Sequence, residues 1–105
     1  MNTKYRNIRV TDPNTGAVFD SKREYNRWCE LRLLERCGAI KGLTRQVKFE
    51  LLPKGKYRAV TYVADFVYMD SGKQVVEDAK GVKTKEYIIK KKMLYHKYGI
   101  DIKET

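Results

Sequence analysis

The chain has 105 residues, 23 Lys and Arg against 13 Asp and Glu, a formal net charge of +10 at pH 7 and 42% hydrophobic residues. Such a length argues for one domain, and the apolar share rules out a wholly disordered basic tail. No apolar run approaches the roughly 18–20 residues of a membrane span, and Cys29, Cys37 and a single histidine leave too few ligands for a zinc ribbon, finger or HNH-type site.

Residues 1–19 read as a basic lead-in, with Asp12-Pro13-Asn14-Thr15-Gly16 a turn signal, and residues 20–105 as a single domain. The start of the chain, Met1 to Val10, lacks the apolar stretch of a signal peptide, so a cytoplasmic location is expected. A first helix opens at Ser21-Lys22-Arg23-Glu24, which has the spacing of a capping box, and stops near Cys37-Gly38. At 100° per residue Glu24, Trp28, Leu31 and Glu35 share one stripe of it. Leu43, Val47, Phe49 and Leu51 alternate with polar residues, which predicts a strand over Ile40 to Leu52. A second strand is expected from Arg58 to Met69, a hairpin turn at Asp70-Ser71-Gly72-Lys73, and a third strand from Gln74 to Lys80. Lys83 to Tyr98 reads as a strongly basic helix closed by Gly99, and Ile100 to Ile102 as a short last strand. The resulting order, α-β-β-β-α-β, makes an α/β (α+β) domain in which helices flank a small mixed sheet.

Two of these strands carry acids where apolar residues are the rule. Asp65 sits inside Tyr62-Val63-Ala64-Asp65-Phe66-Val67-Tyr68, and Glu77-Asp78-Ala79-Lys80 ends the next strand. Strict alternation puts Asp65 on the face of Val63 and Val67, and puts Asp78 with Lys80 opposite Glu77. A β-bulge near Glu77 would exchange the two acids, so Glu77 stays open as the register alternative. The hairpin lets Asp65 lie beside Asp78, and two close carboxylates repel unless a cation separates them. A hard divalent ion suits oxygen ligands of this kind, polarises a phosphate oxygen and activates a bound water, while a nearby ammonium offsets developing charge. Acid, acid and lysine on adjacent strands of a basic protein point to phosphodiester hydrolysis.

Asp65 followed by Asp78-Ala79-Lys80 one hairpin later resembles the signature of the PD-(D/E)XK nucleases, with Ala64 where the motif name has proline. The element order resembles that superfamily's restriction-endonuclease-like core. The likeness is to its small phage-encoded endonucleases and to the archaeal type of Holliday junction resolvase. It implies Mg²⁺ or Mn²⁺ as cofactor, a homodimer, and hydrolysis of DNA strands by activated water in recombination or replication, in the host cytoplasm if the chain is phage-encoded. In many members an acid on the first helix completes the metal site, and Glu24 occupies the matching place. The catalytic set implied is thus Asp65, Asp78, Lys80 and Glu24.

Other readings stand beside these. Glu24 also serves as the capping-box glutamate, which needs no metal. Asp78 with Lys80 also reads as a same-face charge pair, and Gln46 as an exposed strand residue unless it touches the attacking water or DNA. Lys83, Lys85, Lys90 and Lys91 form either a solvated helix face or a track for DNA phosphates. At the level of function, a non-catalytic nucleic-acid-binding module on a nuclease fold and a phage interaction protein are the alternatives to an endonuclease.

Overall fold

The computed structural model describes residues 9–79 and 83–105. Val10–Thr11 (β1) and Val18–Phe19 (β2) pair antiparallel across the Asp12–Gly16 turn. The Asp12 carboxylate closes that turn by accepting from the Asn14 backbone N–H and the Thr15 hydroxyl, both at 3.0 Å. The basic lead-in with its expected turn therefore ends in a small hairpin. Its Phe19 is fully buried, with the Tyr25 ring 5.3 Å away edge-on.

Lys22–Arg36 forms α1. Ser21 is its N-cap, accepting from the Glu24 N–H at 3.1 Å, which satisfies one of the orphan donors of the first turn. At the far end Gly38 adopts φ +82°, a left-handed conformation open to glycine without a Cβ penalty, and the chain turns out of the helix. Lys41–Leu52 (β3), Val60–Asp70 (β4) and Lys73–Asp78 (β5) run antiparallel in succession. Ser71 and Gly72, both at positive φ, make the tight β4–β5 turn whose twist matches that of the flanking strands. Lys85–Tyr98 forms α2, capped by Thr84 and ended by left-handed Gly99. Lys103–Glu104 (β6) then pairs parallel with β5, giving a mixed sheet of order β3-β4-β5-β6. The fold is a mixed α+β domain. Its last strand forms just beyond the expected Ile100 to Ile102, because buried Ile102 and partly buried Ile100 pack into the core under α2.

Each face of the sheet has its own core. Under α2 lie Leu51, Tyr62, Ala64, Val67, Val76, Tyr87, Leu94 and Ile102. Under α1 lie Leu31, Ile40, Phe66 and Tyr68, with Trp28 stacked on Phe66 at 6.1 Å. Each fully buried side chain of this size stabilises the fold by about 1.5–3 kcal/mol. Membership of these two cores exposes a break in strand alternation. In β4, Tyr62 and Ala64 face α2, whereas Phe66 and Tyr68, of the same parity, face α1. In β3, Leu43 packs on the α1 side, whereas Val47 and Phe49 pack on the α2 side. Both breaks fall at one level, since the register Arg45↔Phe66 and Val47↔Ala64 sets Gln46 opposite Asp65. Gln46 has φ +52°, a left-handed conformation rare for a non-glycine residue inside a strand. The parity shift separates Asp65 from the expected company of Val63 and Val67: Val63 is exposed and Val67 enters the α2-side core.

Candidate functional site

The ladder between β4 and β5 ends at Phe66↔Glu77. Just past that point, the Ala79 N–H donates at 2.8 Å to Asp65 Oδ2, so the Asp65 side chain closes the gap between the parting strands. Its other oxygen, Oδ1, accepts from Gln46 Nε2 at 3.4 Å. The same amide nitrogen donates to Glu24 Oε2 at 3.2 Å. A carboxylate from α1 and one from β4 thus share a single donor at the level where both strands switch faces.

Glu24 is 4% exposed and divides its two oxygens between two tasks. Oε1 accepts from the Asp20 N–H at 3.3 Å and so extends the cap of α1, while Oε2 faces Gln46 and the Arg45 guanidinium, 3.4 Å away. Cap and site therefore draw on different atoms of one side chain. Burial pushes the Glu24 carboxyl up from its ordinary value, the negative charge of Asp65 adds to this, and the Asp20 N–H and Arg45 oppose it. Arg45 is held over the Phe19 ring at 3.8 Å, a cation–π contact that fixes its direction.

Glu77 and Asp78 lie on opposite faces of β5. Glu77 is fully buried on the α1 side, where Arg27 grips it bidentately, Nε to Oε1 at 2.8 Å and Nη2 to Oε2 at 2.7 Å, and the Tyr68 hydroxyl donates to Oε2 as well. Burial pushes the Glu77 carboxyl up, but the Arg27 and Tyr68 hydrogen bonds and the Arg27 charge outweigh it, so it titrates below its ordinary value. Asp78, 2% exposed, points to the α2 side and accepts from the Tyr62 hydroxyl at 2.6 Å. Burial, and then the bond to Asp78, raise the Tyr62 hydroxyl well above its usual range, with a further contribution from the charge of Asp65. Asp65 and Asp78 therefore act on the same tyrosine.

Of the residues singled out in sequence, the fold brings Glu24, Gln46 and Asp65 together, with Asp78 one strand over. Glu77 sits apart with Arg27. Lys80 lies outside the described residues. Lys90, on α2, borders a cleft with Thr61, Tyr62 and Tyr87 and is 3.6 Å from Glu86. Lys83 and Lys91 pair with Glu104 at 3.0 and 3.3 Å, and Lys85 is exposed at the start of α2. Sequence reading passed over Arg27, Arg45, Tyr62, Tyr68, Tyr87 and Glu104 as site residues. The Arg27–Glu77 pair, 50 positions apart, leaves no local signal. Tyr62 carries one, since it lies three residues before Asp65 in a strand otherwise read as core.

Among the described residues no three Asp, Glu, His or Cys side chains converge as a protein-only metal cage would need. The chemistry of the donor set nevertheless fits Mg²⁺ or Mn²⁺, because Mg²⁺ is commonly held by one or two carboxylates, with waters and substrate phosphate completing the shell. Glu24 and Asp65 are such a pair, and their mutual repulsion is what a cation would relieve. No helix of the described residues is long and apolar enough to cross a membrane. In comparisons with known proteins, residues 2–105 match a family model described as protein of unknown function (DUF1064). No curated protein and no solved structure matches the chain.

Proposed function

The chain belongs to the DUF1064 family, and we propose that it is a metal-dependent DNA endonuclease hydrolysing phosphodiester bonds, with branched or junction DNA as its substrate. The observation that carries this reading is the carboxylate pair at the parting of β4 and β5: Glu24 and Asp65 share one amide donor in a protein of net charge +10. Glu24 Oε2 and Asp65 Oδ1 would hold the ion, with Asp78 as the neighbouring acid. When bound, Mg²⁺ or Mn²⁺ supplies Lewis-acid polarisation of a phosphate oxygen and lowers the pKa of a coordinated water.

The remaining work falls to the chain. Tyr62 holds the Asp78 carboxylate in one orientation. The Ala79 N–H does the same for Asp65, leaving its Oδ1 to the site. Gln46, whose amide spans the two carboxylates, would on displacement from them be free to donate to a water or a phosphate oxygen. Lys80 supplies the ammonium of the motif, and Lys90 borders the cleft beside Tyr62. Lys85, on the first turn of α2, extends the basic track. Two symmetric nicks in a junction need two such sites, which a two-fold homodimer would provide.

The test is a panel of four-way junction, duplex and single-stranded DNA incubated with Mg²⁺ or with EDTA. Cleavage is expected with Mg²⁺ only, strongest on the junction, and reduced at least about 100-fold in Asp65→Asn and in Asp78→Asn while binding persists. Full activity in either variant would refute the proposed site. Binding without cleavage across Mg²⁺, Mn²⁺ and Co²⁺ would replace the endonuclease by a binding module.

A further inference from the structure

Lys83, Tyr87 and Lys91 are spaced by four residues, and at 100° per residue this aligns Tyr87 and Lys91 along α2 with Lys83 just before its N-cap. All three donate to one carboxylate. Lys83 Nζ lies 3.0 Å from Glu104 Oε1, and Glu104 Oε2 receives the Tyr87 hydroxyl at 2.7 Å and Lys91 Nζ at 3.3 Å. The bonds from Tyr87 and Lys83, with Lys91 adding to them, push the Glu104 carboxyl down to about 2. The cluster opens onto a surface groove that Ile88, Lys92, Tyr95 and Asp101 also line.

Two features connect this groove to the site described above. Glu104 is the register partner of Asp78 in the parallel β5–β6 pair, so the two carboxylates leave neighbouring strands, about 4.8 Å apart, toward α2. The rings of Tyr62, which donates to Asp78, and Tyr87, which donates to Glu104, are 6.4 Å apart. The charge of Asp78 also helps to raise the Tyr87 hydroxyl, after burial and the bond to Glu104. The cluster ties β6 to α2, and its donors, two ammonium groups and a hydroxyl converging on two oxyanion oxygens, are also a set suited to a phosphate diester.

We propose that Lys83, Tyr87 and Lys91 form a subsite for a backbone phosphate of the nucleic acid, and that Glu104 occupies it in the free protein as an internal phosphate mimic. The inference rests on the nucleic-acid reading of the neighbouring site but not on its catalysis. A bound strand displaces the Glu104 carboxylate, and its next phosphate would lie toward Lys90, in the cleft that Tyr87 also lines with Thr61 and Tyr62. Glu104 thereby weakens the binding of polyanions to the free protein.

The experiment measures equilibrium binding of a labelled four-way junction and a labelled duplex in EDTA, over a range of salt, to the full chain and to Glu104→Gln. The carboxamide oxygen that this substitution introduces can still accept from Tyr87, and a thermal unfolding midpoint within a few degrees of the parent confirms that the variant folds. Expected is tighter binding of DNA with a salt slope steeper by up to about 1, for the one carboxylate charge removed, and loss of that gain when Lys91→Ala is added. A folded Glu104→Gln chain that binds DNA with unchanged affinity and unchanged slope overturns the proposal. A gain for inorganic phosphate with none for DNA overturns the assignment to a nucleic-acid backbone. If the parent chain binds no DNA at any salt, the functional reading itself fails. If the parent binds and cleaves but Glu104→Gln behaves like it, only the subsite fails.

Discussion

Glu77 and the Glu24–Asp65 pair are two treatments of carboxylate in one small protein. Glu77 meets a bidentate guanidinium and a tyrosine hydroxyl, so its charge and lone pairs are matched on the spot. Glu24 and Asp65 share one neutral amide and accept one backbone N–H each, and of the two acids it is Glu24 that Arg45 reaches, at 3.4 Å. The first arrangement holds α1 onto β5. The second leaves two negative groups near each other with one guanidinium to balance them, although Glu24 Oε1 extends the α1 cap and Asp65 Oδ2 closes the gap between β4 and β5. Under the proposed function this is the pair that would take a cation. The protein therefore separates its acids by partner chemistry more than by depth, since Glu77 and Glu24 are both nearly inaccessible.

The largest expected effect lies on the structural side. Arg27→Ala strands the Glu77 charge and should lower unfolding free energy by about 3–5 kcal/mol in urea titration, whereas Arg27→Met with Glu77→Leu should recover most of that loss. Glu77 titrates below its ordinary value in the fold, so its contribution is fully present above the unfolded glutamate pKa (about 4.3) and is lost as pH falls through the folded value. An acid-unfolding series should accordingly show a weaker pH dependence below about pH 4 for Glu77→Gln than for the parent.

Tyr62→Phe removes a hydroxyl donor from Asp78 at the boundary of the two regions. A loss of about 1.5–3 kcal/mol is expected, as for hydrogen bonds to charged groups, together with slower cleavage that added Mn²⁺ partly restores. Ser21→Ala deletes the cap of α1 and should cost about 1 kcal/mol, leaving cleavage unchanged because Glu24 Oε1 keeps the Asp20 N–H. Smallest in stability is Asp65→Asn: the carboxamide oxygen still takes the Ala79 N–H and repulsion with Glu24 disappears, so the unfolding free energy should stay within about 1 kcal/mol of the parent or rise. A loss as large as that of Arg27→Ala would erase the distinction between the two regions.

Much of this was legible in residue order. Local rules locate both helices, because Ser21 caps the first and Gly38 and Gly99 end them, while the second opens at Lys85 behind the Thr84 cap, two residues past the expected Lys83. The Ser71-Gly72 turn sets the β4–β5 register, and with it the neighbourhood of Asp65 and Asp78. Alternation also separates Glu77 from Asp78, since adjacent strand residues face opposite sides. It fails at Asp65, where Gln46 in a left-handed conformation and the parting of β4 from β5 exchange the faces.

The sequence by itself determined the α-β-β-β-α-β order, the hairpin that joins Asp65 to Asp78, and the opposite faces of the two acids on β5. These follow from caps, turns and periodicity, which act over a few residues. Only the tertiary structure decided that Arg27 neutralises Glu77, that Gln46 bridges Glu24 to Asp65, and that Glu104 gathers Lys83, Tyr87 and Lys91. Those partners lie on separate elements, 13 to 50 positions apart, and their pairing depends on how two helices settle on opposite faces of a twisted sheet. The +10 charge with which the chain announces itself is divided by that packing. Arg27 and Arg45 go to buried acids, while Lys85 stays exposed and Lys90 stands at the cleft beside Tyr62.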